Sequence, residues 1–232
     1  ISDINLPYTQ HAYDNLMKEG IDPKYTFITG SPMLEVLNAH DKDIEASNVL
    51  EEMGVEPHKY IVVSSHREEN IDIEKNFFKL MDAINAVAEK YQMPVLFSTH
   101  PRTKKMLEKR NYKMHPLIRN HKPFGFLEYV KLQENAFICL SDSGTLTEES
   151  SMRKFPAVLI RTSTERPEGV EAGSIVVSGI DKDGIMLAID AELLKYKFAK
   201  TPEHYDITDV SSRVVDIIKN KIDVVNKEIW DK

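Results

Sequence analysis

Residues Ser141 to Glu149 read SDSGTLTEE and follow the apolar run Ala136–Leu140. A short buried strand there would feed a Ser/Gly turn that opens directly into a helix. A helix N-terminus presents unpaired backbone N–H groups and about half a positive charge, so it holds phosphate. Glu148 and Glu149 would sit one turn further on. A carboxylate there repels phosphate but suits the hydroxyls of a ribose. The segment therefore has the chemistry of a nucleotide site, with phosphate at the turn and sugar beside the glutamates. The plainer alternative is an ordinary N-cap turn, with Ser141 or Asp142 capping and the glutamates favouring the helix dipole.

Other clusters of the same kind recur. Ser65-His66-Arg67-Glu68-Glu69-Asn70 sets an imidazole beside a guanidinium. Imidazole is the side-chain type in this cluster that exchanges a proton near neutral pH. A cationic His66 would neutralise a diphosphate leaving group and donate a proton to it. Arg67 would pair with a phosphate or with Glu68. The bland version is a solvated helix start capped by Ser65 or Asn70. Thr99-His100-Pro101-Arg102 is a second His–Arg pair, with Pro101 suited to a first helical turn. Arg161 to Gly169 reads RTSTERPEG, a loop able to clamp phosphate and hydroxyls or merely to form surface ion pairs. Lys122 to Tyr129 reads KPFGFLEY, a turn on which a flat base would stack, unless Phe124 and Phe126 are core.

The elements that must position these clusters alternate strand and helix. Strands are expected at Tyr60–Ser64, Pro94–Thr99, Leu117–His121, Ala136–Leu140, Ala157–Ile160 and Ser174–Val177. Helices are expected at Tyr8–Glu19, Pro32–Ala39, Ile44–Met53, Ile73–Tyr91, Lys104–Lys109, Leu127–Asn135, Leu146–Arg153 and Gly184–Lys195. A final helix with one apolar stripe is expected over Tyr205–Trp230. This alternation implies an α/β, Rossmann-like, doubly wound parallel sheet. Ligands in such sheets bind beyond the strands' C-terminal ends. SHREEN, HPR, SDSG and RTSTERPE each follow a strand, so four clusters would converge on one edge.

Composition narrows the function classes. Apolar residues make up 41% and charged residues 29% of the 232, as in ordinary globular chains. Net charge is −7 and the basic residues are dispersed, which argues against a nucleic-acid partner. The single cysteine, Cys139, excludes an intramolecular disulfide and fits a reducing cytoplasm. No apolar run reaches the roughly 20 residues of a membrane span, so no membrane partner is expected. HExxH, CxxC and Asp-rich spacings are missing, so no metal is expected. GxGxxG, Walker A and GxSxG are missing too, which speaks against NAD, a P-loop and a serine hydrolase. The chain opens at Ile1 on what reads as a strand end followed by a helix, which suggests the later part of a longer protein.

In that order and spacing, SHREEN, THPR, KPFGFLEY, SDSGTLTEESS and STERPEG resemble the non-hydrolysing UDP-N-acetylglucosamine 2-epimerases. The wording SHREEN, SDSGTLTEESS and ERPEG is most similar to the branch that makes UDP-N-acetyl-L-fucosamine from UDP-2-acetamido-2,6-dideoxy-L-talose for capsule or O-antigen. The resemblance implies the second domain of a glycosyltransferase-B-like fold. Residues 1–28 would be a remnant of the first domain, 29–198 the UDP-binding domain, and 199–232 a helix returning towards the first. Thr29-Gly30-Ser31-Pro32 would be the crossing between domains.

The same resemblance places His66 at the diphosphate and reacting sugar as the catalytic residue. Ser143 and Gly144 form the diphosphate turn, Glu149 holds ribose hydroxyls, Arg166 binds UDP, and Tyr129 lies near uracil. Arg67 and Ser141, at the same strand ends, complete the expected UDP-binding set. Arg102 departs from the family pattern after His100, while Thr145 and Thr147 replace the usual Gly and Gln and favour the deoxysugar branch. The implied reaction eliminates UDP across C1–C2 and adds it back, needs no cofactor, and is run by a homodimer. Acid–base groups of the first domain fall outside this chain. The competing functions are the parent UDP-GlcNAc/UDP-ManNAc interconversion, a glycosyltransferase donor domain and a binding-only module.

Overall fold

The computed structural model describes residues 2–232, which form two compact units, one of residues 2–39 with 201–232 and the other of His40–Lys200. The first unit holds α1 (Gln10–Lys18), α2 (Met33–Ala39) and, from the far end of the chain, a long helix at Val210–Glu228. Asn5 makes an isolated parallel bridge with Thr26. Gly30 has a φ of +89°, and a Cβ there would meet Ile207 and the His204 carbonyl, so no other residue fits without strain.

The second unit runs through α3 (Asp41–Glu45), α4 (Val49–Glu52), β1 (Ile61–Ser64), α5 (Glu68–Ile71), α6 (Glu74–Tyr91), β2 (Val95–Ser98), α7 (Pro101–Lys109), β3 (Ile118–His121), α8 (Phe126–Glu134), β4 (Ile138–Ser141), α9 (Thr145–Arg153), β5 (Ala157–Leu159), α10 (Pro167–Glu171), β6 (Val176–Val177) and α11 (Lys182–Lys195). The helix at Val210–Glu228 is thus α12. The six strands pair in the order β3-β2-β1-β4-β5-β6, and every pairing is parallel. This is the Rossmann strand order, with its reversal point between β1 and β4.

The strand sequences are apolar on both faces because both faces are covered. Ile61, Val63, Phe97, Ile138 and Leu140 pack against Phe77, Leu80, Ile84 and Val87 of α6 and Ile185 and Ile189 of α11. The alternate residues Tyr60, Val62, Leu96, Cys139 and Leu159 pack on the other side with Val49, Leu132 and Leu146. The Tyr60 hydroxyl, buried in that layer, donates to the Leu132 carbonyl at 2.7 Å. Burial pushes the Cys139 thiol well above its ordinary pKa.

Most expected elements form with ends shifted by no more than five residues. The exception is the single helix expected over Ile44–Met53, which is two short helices, α3 and α4. Ser47 and Asn48 break it. Ser47 Oγ accepts from the Val49 N–H at 3.4 Å, a local bond that competes with helix continuation. In the other direction, α7 begins at Pro101 rather than Lys104, because His100 caps it through Nδ1, which accepts from the Arg102 N–H at 3.2 Å.

One buried group has no local explanation in the sheet. Glu192 of α11 is fully buried, and Lys195 Nζ, its ion-pair partner, lies 3.7 Å away. Burial pushes this carboxyl up to about 7, against the pull of Lys195 and of the Ala157 backbone. A carboxyl raised from the usual carboxylate range stabilises the fold fully below its unfolded pKa, and that stabilisation is lost as pH rises through its folded value. Glu192→Gln is therefore expected to stabilise the protein at pH 8, by on the order of 1–3 kcal/mol, with the gain shrinking towards pH 5. Urea unfolding of both proteins at the two pH values measures this. A gain that is equal at both would place its origin elsewhere.

Candidate functional site

β1 and β4 lie side by side with Ser64 opposite Ser141, and the next residue after β4 is Asp142. Its carboxylate is fully buried and gathers the start of the β1 loop. It accepts from Ser65 Oγ at 2.7 Å, from the backbone N–H groups of His66 and Arg67, each at 3.0 Å, and from Asn70 Nδ2 at 3.1 Å. Asn70 also donates to the Ile160 carbonyl at 3.3 Å, and Thr103 Oγ1 donates to the Ser65 carbonyl at 2.8 Å. The loops after β1, β2, β4 and β5 are thereby stitched together at the strands' C-terminal edge.

Asp142 is thus not a cap for α9. That helix begins after Gly144 with no side-chain cap, and the Leu146 and Thr147 N–H groups turn back onto the Ser143 and Gly144 carbonyls at 3.3 Å. Ser141 Oγ instead accepts from the Ser143 N–H at 3.1 Å, and Ser143 Oγ pairs with Thr145 Oγ1 at 2.9 Å. Neither Ser65 nor Asn70 caps α5, whose N-terminus also lacks a side-chain cap.

A cleft of about 280 Å³ opens over this junction. Its rim is a row of three serines, Ser98, Ser64 and Ser141, held at one register level across β2, β1 and β4. His66 and His100 stand beside the row with ring centroids 5.7 Å apart. His66 Nδ1 is 3.5 Å from the Asp142 carboxylate. Ser143 and Thr145 bring the α9 turn to the cleft, and Phe124 and Phe126 bring the aromatic turn. Phe124 stacks flat on His121 at 4.2 Å.

Tyr129, Gln133 and Glu149 complete the lining. Gln133 Nε2 donates to Glu149 Oε2 at 2.7 Å. Burial raises the Glu149 pKa, opposed by the bonds from Gln133 and Thr145 and raised further by neighbouring Glu148. Burial likewise pushes the Tyr129 hydroxyl far up, with Cys139 and Glu149 adding to the effect and the Ser64 and Ser141 hydroxyls opposing it.

Of the residues expected from sequence, His66, Tyr129, Ser141, Ser143 and Glu149 meet in this one cleft. Arg67, Gly144 and Arg166 do not line it. Arg67 Nε donates to the Asp142 carbonyl at 2.9 Å. Arg166 pairs with the buried Glu148 at 2.9 Å, and a Cβ on Gly144 would lie 3.4 Å from its Nε. The arginines of RTSTERPEG thus have carboxylate partners within the fold. Arg161 grips Glu165 at 2.6 and 2.7 Å and holds that carboxyl down at about 2, while Arg67 stands 3.5 Å from the same group.

Sequence reasoning missed Ser64, Ser98, Gln133 and Thr145. The two serines carried a signal, since each ends an otherwise apolar strand. Gln133 lies one turn beyond Tyr129 on α8, which puts both on the same face. Among the described residues no group of three or more His, Cys, Asp or Glu is arranged to hold a metal ion, and no helix is long and apolar enough to cross a membrane.

The comparisons with known proteins agree on one group. The family profile described as UDP-N-acetylglucosamine 2-epimerase matches residues 1–219. A protein of that name from Methanocaldococcus jannaschii is 31% identical over 84% of this chain and 55% of its own length. The Bacillus subtilis protein of the same name is 30% identical over 93% of this chain and 57% of its own. Among solved structures, UDP-N-acetylglucosamine 2-epimerase from Rickettsia bellii is 34% identical with a TM-score of 0.88, covering 100% of this chain and 63% of that one. The M. jannaschii UDP-GlcNAc 2-epimerase in complex with UDP-GlcNAc and UDP is 30% identical with a TM-score of 0.86, covering 94% and 61%. This chain therefore spans rather more than half the length of the relatives it matches. The wall teichoic acid polymerase TagF, 13% identical with a TM-score of 0.56, shares the fold.

The dependence of the cleft on Asp142 can be measured. Asp142→Ala leaves two backbone N–H groups, a serine hydroxyl and an asparagine amide without their acceptor. It is expected to cost roughly 2–4 kcal/mol in urea unfolding. A loss below about 1 kcal/mol would show that the loop holds its shape without the carboxylate.

Proposed function

The chain belongs to the UDP-N-acetylglucosamine 2-epimerase family, and from that premise we propose that it is the UDP-binding part of an enzyme that inverts C2 of a UDP-2-acetamido sugar. The observation that carries the reading is one cleft at the strand-order reversal, shared by His66, the α9 turn at Ser143 and the buried Glu149. A uridine diphosphate has a part for each. The diphosphate lies at the α9 turn, which carries no side-chain cap and whose dipole favours an anion. The ribose hydroxyls meet Glu149, and uracil lies against Tyr129 and the aromatic turn.

In the reaction a base removes the C2 proton, the C1–O bond breaks, and UDP leaves a C1–C2 double bond behind. A proton then arrives at the opposite face of C2 as UDP returns to C1. The charge that develops on the departing diphosphate is what this chain answers. His66, held beside Asp142, neutralises it and supplies a proton, and the helix terminus and Arg166 spread the rest. For Arg166 to serve, it exchanges Glu148 for phosphate. The groups that move the C2 proton belong to the part of the enzyme outside this chain, so the 232 residues alone bind UDP and turn nothing over.

Two substrates fit this chemistry. Thr145 and Thr147, together with SHREEN and ERPEG, favour the 2,6-dideoxy-L-talose sugar and hence UDP-N-acetyl-L-fucosamine for capsule or O-antigen, made by a cytoplasmic homodimer. The names of the relatives favour UDP-GlcNAc and UDP-ManNAc. Incubating the complete enzyme with each nucleotide sugar in deuterium oxide separates them, because the true substrate alone gains deuterium at C2. Acceptor-dependent UDP release without deuterium uptake would indicate glycosyl transfer instead. In the same enzyme His66→Ala is expected to lower the rate on the order of 100-fold or more, and a change confined to affinity would reduce His66 to a binding group.

A further inference from the structure

We propose that Gln133 is a positioning residue of this site, holding Glu149 as an acceptor for the two ribose hydroxyls. The inference rests on reading the cleft as a UDP site with the ribose at Glu149. Gln133 lies on α8 and Glu149 on α9, and both line the cleft. The 2.7 Å bond from Gln133 Nε2 to Glu149 Oε2 joins the two helices there. A carboxylate accepts only, so the amide meets it with its N–H side. That bond engages one carboxylate oxygen and sets the group's orientation before a ligand arrives. Gln133 is itself held, since its backbone carbonyl accepts the Ala136 N–H at 3.3 Å and the Cys139 thiol at 3.6 Å.

Stability does not explain a glutamine here. The side chain is buried, and its Oε1 has no partner among the described residues. A buried acceptor left unpaired costs the fold, and a methionine of similar size would avoid that cost. A methionine could not donate to Glu149. The carboxylate needs the donor, because burial works against its charge. Around it stand Tyr129 on α8, Cys139 on β4, Thr145 and Glu148 on its own helix, and Arg166 at the start of α10. His66 and His100 are the other titratable groups of the cleft. Gln133, Thr145 and Arg166 favour the charged form of Glu149, and Glu148 opposes it. A charged carboxylate accepts far more strongly than a neutral acid, so the grip on ribose depends on that balance.

UDP and 2′,3′-dideoxyuridine diphosphate differ in the hydroxyls alone. The ratio of their affinities therefore reports the grip on ribose, while titration of the diphosphate and of the histidines cancels. Calorimetry between pH 5 and pH 8 gives this ratio for the complete enzyme, for Gln133→Met, Gln133→Leu and Glu149→Gln, and for Gln133→Met combined with Glu149→Gln. The wild type is expected to favour UDP roughly tenfold or more at pH 8. That preference fades as pH falls through the raised Glu149 pKa, where the carboxylate takes up a proton. Both Gln133 variants are expected to melt within about 5 °C of the wild type, and to lose the preference at a pH about one unit higher. With Glu149→Gln already present, Gln133→Met should change the ratio by less than about twofold, because it acts through the carboxylate. An unchanged pH profile, an additive loss in the double variant, or failure of both Gln133 variants to fold would overturn the proposal while leaving the UDP reading intact. A wild type that binds both ligands equally at every pH would remove ribose from Glu149, and one that binds neither would remove the UDP reading, and this inference falls with either.

Discussion

One buried carboxylate holds the functional edge of the sheet together. Asp142 is fully buried, and a carboxylate in that position is tolerable only when its oxygens are saturated with donors. The β1 loop supplies them, through Ser65, the backbone of His66 and Arg67, and Asn70. Asn70 and Thr103 then extend the tie to the strand-end segments on either side. The constraint works in both directions. The loop is shaped by the need to satisfy the carboxylate, and His66 is set where it stands because its own N–H belongs to that arrangement.

Everything at the cleft follows from where this tie sits. Parallel strands deliver all their loops to one edge, and the reversal between β1 and β4 splays two neighbouring loops apart. The gap would otherwise be a loose crevice. With Asp142 tying the loops together, three serines at one register level make a polar rim, and the two histidines stand against separate partners. With Asp142 committed to the β1 loop, the α9 N-terminus beside the cleft has no side-chain cap.

Much of this was legible in the sequence, and what was not has a common cause. Alternating apolar runs and amphipathic helices gave the sheet, because a strand covered on both faces reads as continuous Val, Ile and Leu. The convergence of SHREEN, HPR and SDSG followed from parallel topology alone. The part Asp142 plays was not legible, because local rules offer an aspartate before a helix as a cap, whereas its partners lie more than 70 residues earlier in the chain. Gln133 was overlooked for the same reason, since its partner Glu149 lies on another helix. The break at Ser47 and Asn48 is the opposite case, a local preference strong enough to overrule an apolar pattern. Pairing among Arg67, Arg161, Arg166 and the glutamates could not be read from residue types, which show only that charges are near one another in sequence.

That pairing has a consequence for anion recognition. A lysine or arginine waiting in water sheds small counterions when a phosphate arrives, and binding then weakens steeply as salt is added. Arg166 and Arg161 wait with carboxylates already in place. A phosphate that reaches them exchanges one organic anion for another, so few mobile ions are released. Under the proposed UDP reading, Arg166 would act less as a source of attraction than as a filter, admitting a ligand whose shape displaces Glu148 and staying indifferent to anions that do not.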